Sequence, residues 1–118
     1  MKIEAVKQLL DAEAVCGGEL LDTEVCSACG SDMMSDVLAY VKNQAVLLTG
    51  LVNEQVVRTA AMMDMKCVVF VRSKQPSAGM IELAEHNGIA LLTTKKRMFE
   101  ACGVLYCNGL NAEGRQYV

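Results

Sequence analysis

Three uninterrupted apolar runs mark the second half of the chain: Ala45-Val46-Leu47-Leu48, Cys67-Val68-Val69-Phe70-Val71 and Ile89-Ala90-Leu91-Leu92. Each is bounded by polar or turn residues and is too short for a helix, so each reads as a strand covered on both faces. Between the runs, apolar residues recur at helical spacing. After Asn53, a good N-cap, Val56, Val57, Ala60, Ala61 and Met63 mark one face, and Met80, Ile81 and Leu83 or Ala84 do so from about Ser77 to His86. Asn87-Gly88 closes that second helix with a left-handed glycine. Thr93 or Thr94 then caps a last helix that carries Met98, Phe99, Cys102, Leu105 and Tyr106.

The first half is less regular. Ile3, Val6, Leu9 and Leu10 predict a short amphipathic helix over residues 2–10, and Ala14-Val15-Cys16 a short strand that stops at Gly17-Gly18. A second strand is expected from Glu24 to Ala28. Ser31-Asp32 or Ser35-Asp36 would cap a helix running to about Lys42. The whole predicts a single three-layer α/β domain with a largely parallel sheet: a β-α-β-α-β-α core preceded by a short helix and strands. Residues 1–110 form the domain, and residues 111–118 a polar, mobile tail.

Composition narrows the partners. The chain has 118 residues, one domain's worth, with only five aromatics, so its core is aliphatic and methionine-rich. A net charge of −3 lacks the concentrated positive field that nucleic acid or an acidic membrane surface needs, so neither is expected as a partner. Met1-Lys2-Ile3-Glu4-Ala5 is not the start of a secretory leader, and no apolar run approaches the ~18 residues of a membrane span. Six cysteines without a leader are expected to be reduced thiols, placing the chain in the cytoplasm.

Signatures of catalysis are missing. No G-x-x-x-x-G-K-[ST] loop or strand-linked G-x-G-x-x-G is present, and the single histidine, His86, falls late in a helix where the dipole favours it. No cofactor is specified. Cys26 and Cys29 form a C-x-x-C pair, the spacing of a zinc knuckle or a thiol exchange site, although two further metal ligands are not at hand in sequence. Small sulfur residues filling a strand end are the preferred explanation of the pair. Ser31, Asp32, Ser35 and Asp36 would share one helical face if their segment is helical. In an open parallel sheet, ligands bind beyond the carboxyl ends of the strands, where helix N-termini present free N–H groups. Those ends supply Thr49, Gly50 and Asn53, then Arg72 and its neighbours, then Thr93, Thr94 and Lys95. Two of the three are basic, which suits a small anionic ligand such as a nucleotide.

The runs Gly30-Ser31-Asp32-Met33-Met34-Ser35-Asp36-Val37-Leu38-Ala39-Tyr40 and Leu48-Thr49-Gly50-Leu51-Val52-Asn53-Glu54-Gln55-Val56-Val57-Arg58-Thr59-Ala60 resemble stand-alone members of the DRTGG domain family. Val68 to Arg72, Leu91 to Thr94 and Met98 to Gly103 fit the same pattern, so the likeness spans about residues 2–110. The resemblance implies an α/β regulatory module without catalytic residues of its own, of the kind found in some phosphotransacetylases and between CBS domains of some pyrophosphatases. It also implies a place at a dimer interface. The family takes its name from an Asp-Arg after one strand and a Thr-Gly-Gly after the next. The places taken as corresponding here read Gly50-Leu51-Val52 and Val71-Arg72-Ser73, so neither signature is intact. The expected function is a non-catalytic, homodimeric, ligand-sensing domain that takes a nucleotide or phosphorylated metabolite. The alternatives are an interaction module without a small ligand, or a metal or redox site at Cys26 and Cys29.

Overall fold

A computed structural model describes residues 1–40 and 45–111. Five helices and five strands follow one another as α1 (Ile3–Leu9), β1 (Glu13–Cys16), β2 (Ser27–Gly30), α2 (Met34–Tyr40), β3 (Ala45–Thr49), α3 (Glu54–Met62), β4 (Cys67–Phe70), α4 (Ala78–Asn87), β5 (Ala90–Thr93) and α5 (Met98–Cys107). A short 3-10 turn at Gly18–Leu20 follows β1. The expected helix end near Lys42 and the tail beyond Asn111 lie outside the described residues.

The strands form one sheet in the order β1-β5-β4-β3-β2, with β2 to β5 parallel and β1 antiparallel to β5. Alternation along each run explains why the runs are apolar throughout. Val46 and Leu48 of β3, Cys67 and Val69 of β4, and Ala90 and Leu92 of β5 join one core with α1 and α5. Their neighbours Leu47, Val68, Phe70 and Leu91 join a second core with α2, α3 and α4. Period-two alternation therefore feeds both layers at once.

The predicted cap at Asn53 forms, and α4 starts where expected on a cap that was not predicted. The Asn53 side chain accepts from the Val56 N–H at 3.1 Å and caps α3, and Ser77 accepts from Met80 N–H at 3.3 Å and caps α4. Gly88 closes α4 at φ +66°. At α5 the expectation fails: Arg97 occupies the cap position and its side chain makes no cap bond, because Thr93 and Thr94 are committed elsewhere. The face of α5 also differs from expectation. Ala101 and Leu105 are buried, whereas Phe99 and Tyr106 point outward.

The second strand begins at Ser27, three residues later than expected. Val25 and Glu24 are taken by the N-terminus instead: Val25 N–H donates to the Met1 carbonyl at 2.7 Å, and Lys2 bridges Glu24 antiparallel. Asn111, expected to open the tail, is buried and its carbonyl accepts from Ala28 N–H at 3.1 Å along the outer edge of β2.

Candidate functional site at the carboxyl ends of the strands

Helices α2, α3 and α4 pack on one face of the sheet, and α5 on the other. The loop leaving β4 therefore heads to one face and the loop leaving β5 to the opposite face, the arrangement at a switch point of a doubly wound sheet. Backbone bonds tie the end of β4 to both of its neighbours. Arg72 N–H donates to the Lys96 carbonyl at 2.9 Å, Ser73 N–H to the Thr94 carbonyl at 2.8 Å, and Val71 N–H to the Thr49 carbonyl at 3.0 Å.

Arg72 and Ser73 both have φ near +58°. With Lys74 N–H donating to the Val71 carbonyl at 3.2 Å, they form a tight turn whose two central residues are left-handed, positions normally given to glycine or asparagine. Each such residue costs about 1–2 kcal/mol. The turn lays the Arg72 guanidinium over Gly50: a Cβ there would come within 2.6 Å of Nη2. The absent side chain is what lets the guanidinium rest on the β3 loop.

On the far side of Gly50 stands Asp32. Its Oδ1 accepts from Gly50 N–H at 2.7 Å and from the Thr49 hydroxyl at 2.9 Å, while Leu51 N–H donates to the Thr49 Oγ1 at 3.1 Å. The Gly50 N–H, then the Thr49 hydroxyl and the charge of Arg72, hold the Asp32 carboxyl below the ordinary aspartate value. Oδ1 is thus fixed, and the exposed carboxylate faces the same edge as Arg72. Among the described residues, Arg72, Lys74, Lys95 and Arg97 have no ion pair within 4.0 Å, whereas Lys96 is bridged to Glu100 at 3.5 Å. The loops after β4 and β5 therefore carry four cations without an ion pair, of which Arg72 acts electrostatically on the oriented carboxylate of Asp32.

The other anticipated residues divide into three groups. Thr93 and Thr94 are buried and structural: the Thr93 hydroxyl donates to the Lys74 carbonyl at 2.8 Å, and that of Thr94 to the Leu10 carbonyl at 2.7 Å. Asn53 is spent on its cap. Ser31 and Asp32 precede α2, with the Ser31 hydroxyl accepting from Met33 N–H at 2.9 Å, whereas Ser35 and Asp36 lie exposed in its first turn. The shared helical face expected for the four is not formed. Lys95 stands exposed on the rim.

Cys26 and Cys29 do not converge. Cys26 is exposed ahead of β2, and Cys29, three residues on, packs against the α2–α3–α4 core; residues three apart on an extended chain point to opposite faces. Burial, then the neighbouring Cys102 and Asp36, push the Cys29 thiol up, away from the reactive thiolate. Helix α2 starts five residues after Cys29, too far for its dipole to act. Among the described residues no three acidic, cysteine or histidine side chains cluster for a metal, and none of the six cysteines is in a disulfide. An open groove of about 320 Å³ between α3 and α4 is lined by Glu54, Glu82 and His86 with Gly79 and Leu83, an acidic lining unsuited to an anion.

The DRTGG domain matches residues 5–106. The chain belongs to the DRTGG domain family. No curated protein matches it. Among solved structures it is similar to the CBS and DRTGG domains of the regulatory region of the Clostridium perfringens pyrophosphatase, a structure complexed with the activator diadenosine tetraphosphate. The TM-score is 0.74 at 17% identity, covering 98% of this chain and 50% of that one, so the chain spans half the length of that regulatory region. The likeness establishes the fold. At consecutive strand ends, Asp32 follows β2 and Thr49-Gly50 follows β3, and these residues are hydrogen-bonded to each other. What sequence reading missed was this pairing; the Ser-Asp and Thr-Gly letters at consecutive strand ends were its only signal.

Among the described residues no helix is long and apolar enough to cross a membrane.

Proposed function

We propose that this DRTGG domain is a non-catalytic, homodimeric regulatory domain of the cytoplasm that senses a nucleotide or phosphorylated metabolite at the carboxyl ends of β3, β4 and β5. The observation that carries the reading is the group of strand ends itself: Arg72 and Lys95, without ion-pair partners within 4.0 Å among the described residues, stand at the same edge as Asp32, which Gly50 N–H and the Thr49 hydroxyl hold in a fixed orientation. Cations there meet phosphoryl oxygens, and the carboxylate accepts from a hydroxyl or amine of the same ligand. A ligand that offers both groups fits this edge better than a bare anion, which Asp32 repels. The strained turn at Arg72 and Ser73 supports the same place, since backbone outliers of this kind concentrate at binding sites. A related regulatory region complexed with a dinucleotide activator is consistent with the ligand class. Six cysteines outside any disulfide suit a reducing compartment.

A thermal-shift screen of adenine nucleotides and small phosphorylated metabolites, followed by calorimetric titration, tests the reading. A ligand at about a hundredfold excess over Kd adds roughly 2–3 kcal/mol of stability, a shift of many degrees for a domain of this size. Arg72→Ala and Lys95→Ala are each expected to weaken the hit about tenfold. Unchanged affinity in both variants removes the rim as the site, and a well-folded protein that no phosphorylated compound stabilises returns the domain to the class of interaction modules.

A further inference from the structure

Strand β2 stands at one edge of the sheet. Its backbone groups alternate between β3 and the outside. Ser31 N–H, just past the strand, turns inward and donates to the Leu48 carbonyl at 3.0 Å, whereas Ala28 N–H turns outward to the Asn111 carbonyl at 3.1 Å. Gly30, two residues on from Ala28, is exposed and presents the next outward N–H. Ser27 and Asn111 pair in the parallel sense. At Asn111 the chain is therefore aimed along β2 toward its carboxyl end, with the first rung already made.

We propose that residues 112–118 continue from this rung as a sixth, parallel strand on the outer edge of β2, which brings Arg115 beside Asp32 and Asp36. The Ser27–Asn111 pair sets the register: Ala112 falls beside Ala28, Glu113 beside Cys29, Gly114 beside Gly30 and Arg115 beside Ser31. Paired residues of neighbouring strands share a face. Ala28 packs with the α1 and α5 core, so Ala28 and Gly30 face α5. Helix α5 comes so close there that a Cβ on Gly30 would be 2.5 Å from the Cys102 Sγ and 3.3 Å from the Met98 Sδ. The residues that fall beside these two, Ala112 and Gly114, have the least to fit under the helix. Cys29 packs on the α2 side, so Arg115 comes to the α2 side as well, where Asp32 and Asp36 are exposed. Neither carboxylate has an ion pair within 4.0 Å among the described residues. Glu113, on the same face, falls beside the uncharged Cys29 thiol. The segment is tethered at the rung, so joining the edge closes no long loop, and it covers backbone groups that an open edge would offer to other chains. The strand itself needs no ligand. Its consequence for the ligand edge, a further cation at Asp32, rests on the reading above.

Amide hydrogen exchange, followed by NMR on the full chain without ligand, tests this. In the proposed register Gly30 N–H donates to the Glu113 carbonyl and Glu113 N–H to the Ala28 carbonyl. The Gly30 amide should exchange at least about tenfold more slowly in wild type than in Glu113→Pro, which removes that donor. Gln116→Pro, whose lost N–H would face solvent, should leave the protection as it is. Arg115→Glu should speed Gly30 exchange several-fold and Arg115→Lys should not, with the buried Val69 amide of β4 as the internal reference. A Gly30 amide that exchanges at the open rate in wild type overturns the sixth strand, and so does protection that survives Glu113→Pro. Protection lost in Glu113→Pro but kept in Arg115→Glu overturns the place given to Arg115. No ligand enters these readouts, so a thermal screen without a hit sinks the ligand reading and leaves the strand standing.

Discussion

Gly17 and Gly50 answer the same steric demand at opposite ends of the sheet, and what faces each of them differs. Gly17 ends β1, adopts φ +83° and lies so close to the start of β5 that a Cβ would be 2.5 Å from the Ala90 Cα and 2.8 Å from its Cβ. Gly50 follows β3, and its hypothetical Cβ would be 2.6 Å from the Arg72 Nη2. One glycine is pinned against backbone, the other covered by the far end of a flexible side chain. The amino end of the sheet is therefore fastened, whereas the carboxyl end is closed by a group that can move aside. That asymmetry is what a domain needs if a ligand is to enter at one end without loosening the core at the other.

Gly17→Ala is the harshest way to break the comparison. The substitution strains a left-handed residue and forces a methyl into the backbone of β5, which together cost about 3 kcal/mol. The thermal midpoint should fall by more than about 10 °C. A fall of only a degree or two would show that β1 can slide on β5 and that the amino end is not the rigid one. The bulge between Ala14 and Cys16 is where such sliding would begin.

A gentler change addresses the carboxylate that organises the other end. The Gly50 N–H, the Thr49 hydroxyl and Arg72 hold the Asp32 carboxyl below its ordinary value. A carboxylate depressed in the folded state contributes stability above its unfolded value, near pH 4, and loses it as the pH falls through the folded one. Asp32→Asn keeps the acceptor oxygen and removes the charge. It should lower stability at pH 7, and the wild-type and variant curves should converge as the pH drops below about 4. Curves that stay parallel down to the acid limit would mean that the charge of Asp32 contributes nothing to the junction.

How much of this could be read from the chain follows from which contacts are local. The runs at Ala45, Cys67 and Ala90, the caps at Asn53 and Ser77 and the close at Gly88 are legible because the strand period and the cap bonds involve neighbours in sequence. Thr94 is the opposite case. As a polar residue after a strand it reads as a cap or a ligand group, yet its hydroxyl is spent 84 residues away on the carbonyl of Leu10, where it ties the end of α1 to β5. The start of β2 was displaced for the same reason, since the N-terminal strand pairing that claims Glu24 and Val25 is a tertiary event. At the candidate site, the Thr-Gly and the Ser-Asp were visible as residue types, but their union through Asp32 spans 18 residues and two strand ends. Phe99 and Tyr106 misled because an apolar residue in a helical pattern is read as core, and a surface stripe on the same helix obeys the same period.

Gly50→Ala should have the smallest effect on stability and the most informative one on binding. No backbone lies in the way of the new methyl, only the Nη2, Nε and Cζ of Arg72. The unfolded chain loses some freedom with the glycine, worth about 0.4–1 kcal/mol in favour of the fold, and displacing an exposed guanidinium costs a comparable amount. The midpoint should therefore stay within about 3 °C of wild type. The Gly50 N–H still donates to Asp32, so the carboxylate keeps its place while Arg72 is lifted off the loop. If Arg72 grips the ligand from its resting position over Gly50, affinity for the nucleotide or phosphorylated compound found by the thermal screen should fall several-fold with stability unchanged. If Arg72 must leave that position to bind, the methyl pre-releases it and affinity should rise. Either change, measured by calorimetric titration, assigns the carboxyl end its moving part; an unaltered affinity beside an unaltered midpoint would make the guanidinium on Gly50 a passive cover and erase the contrast with Gly17.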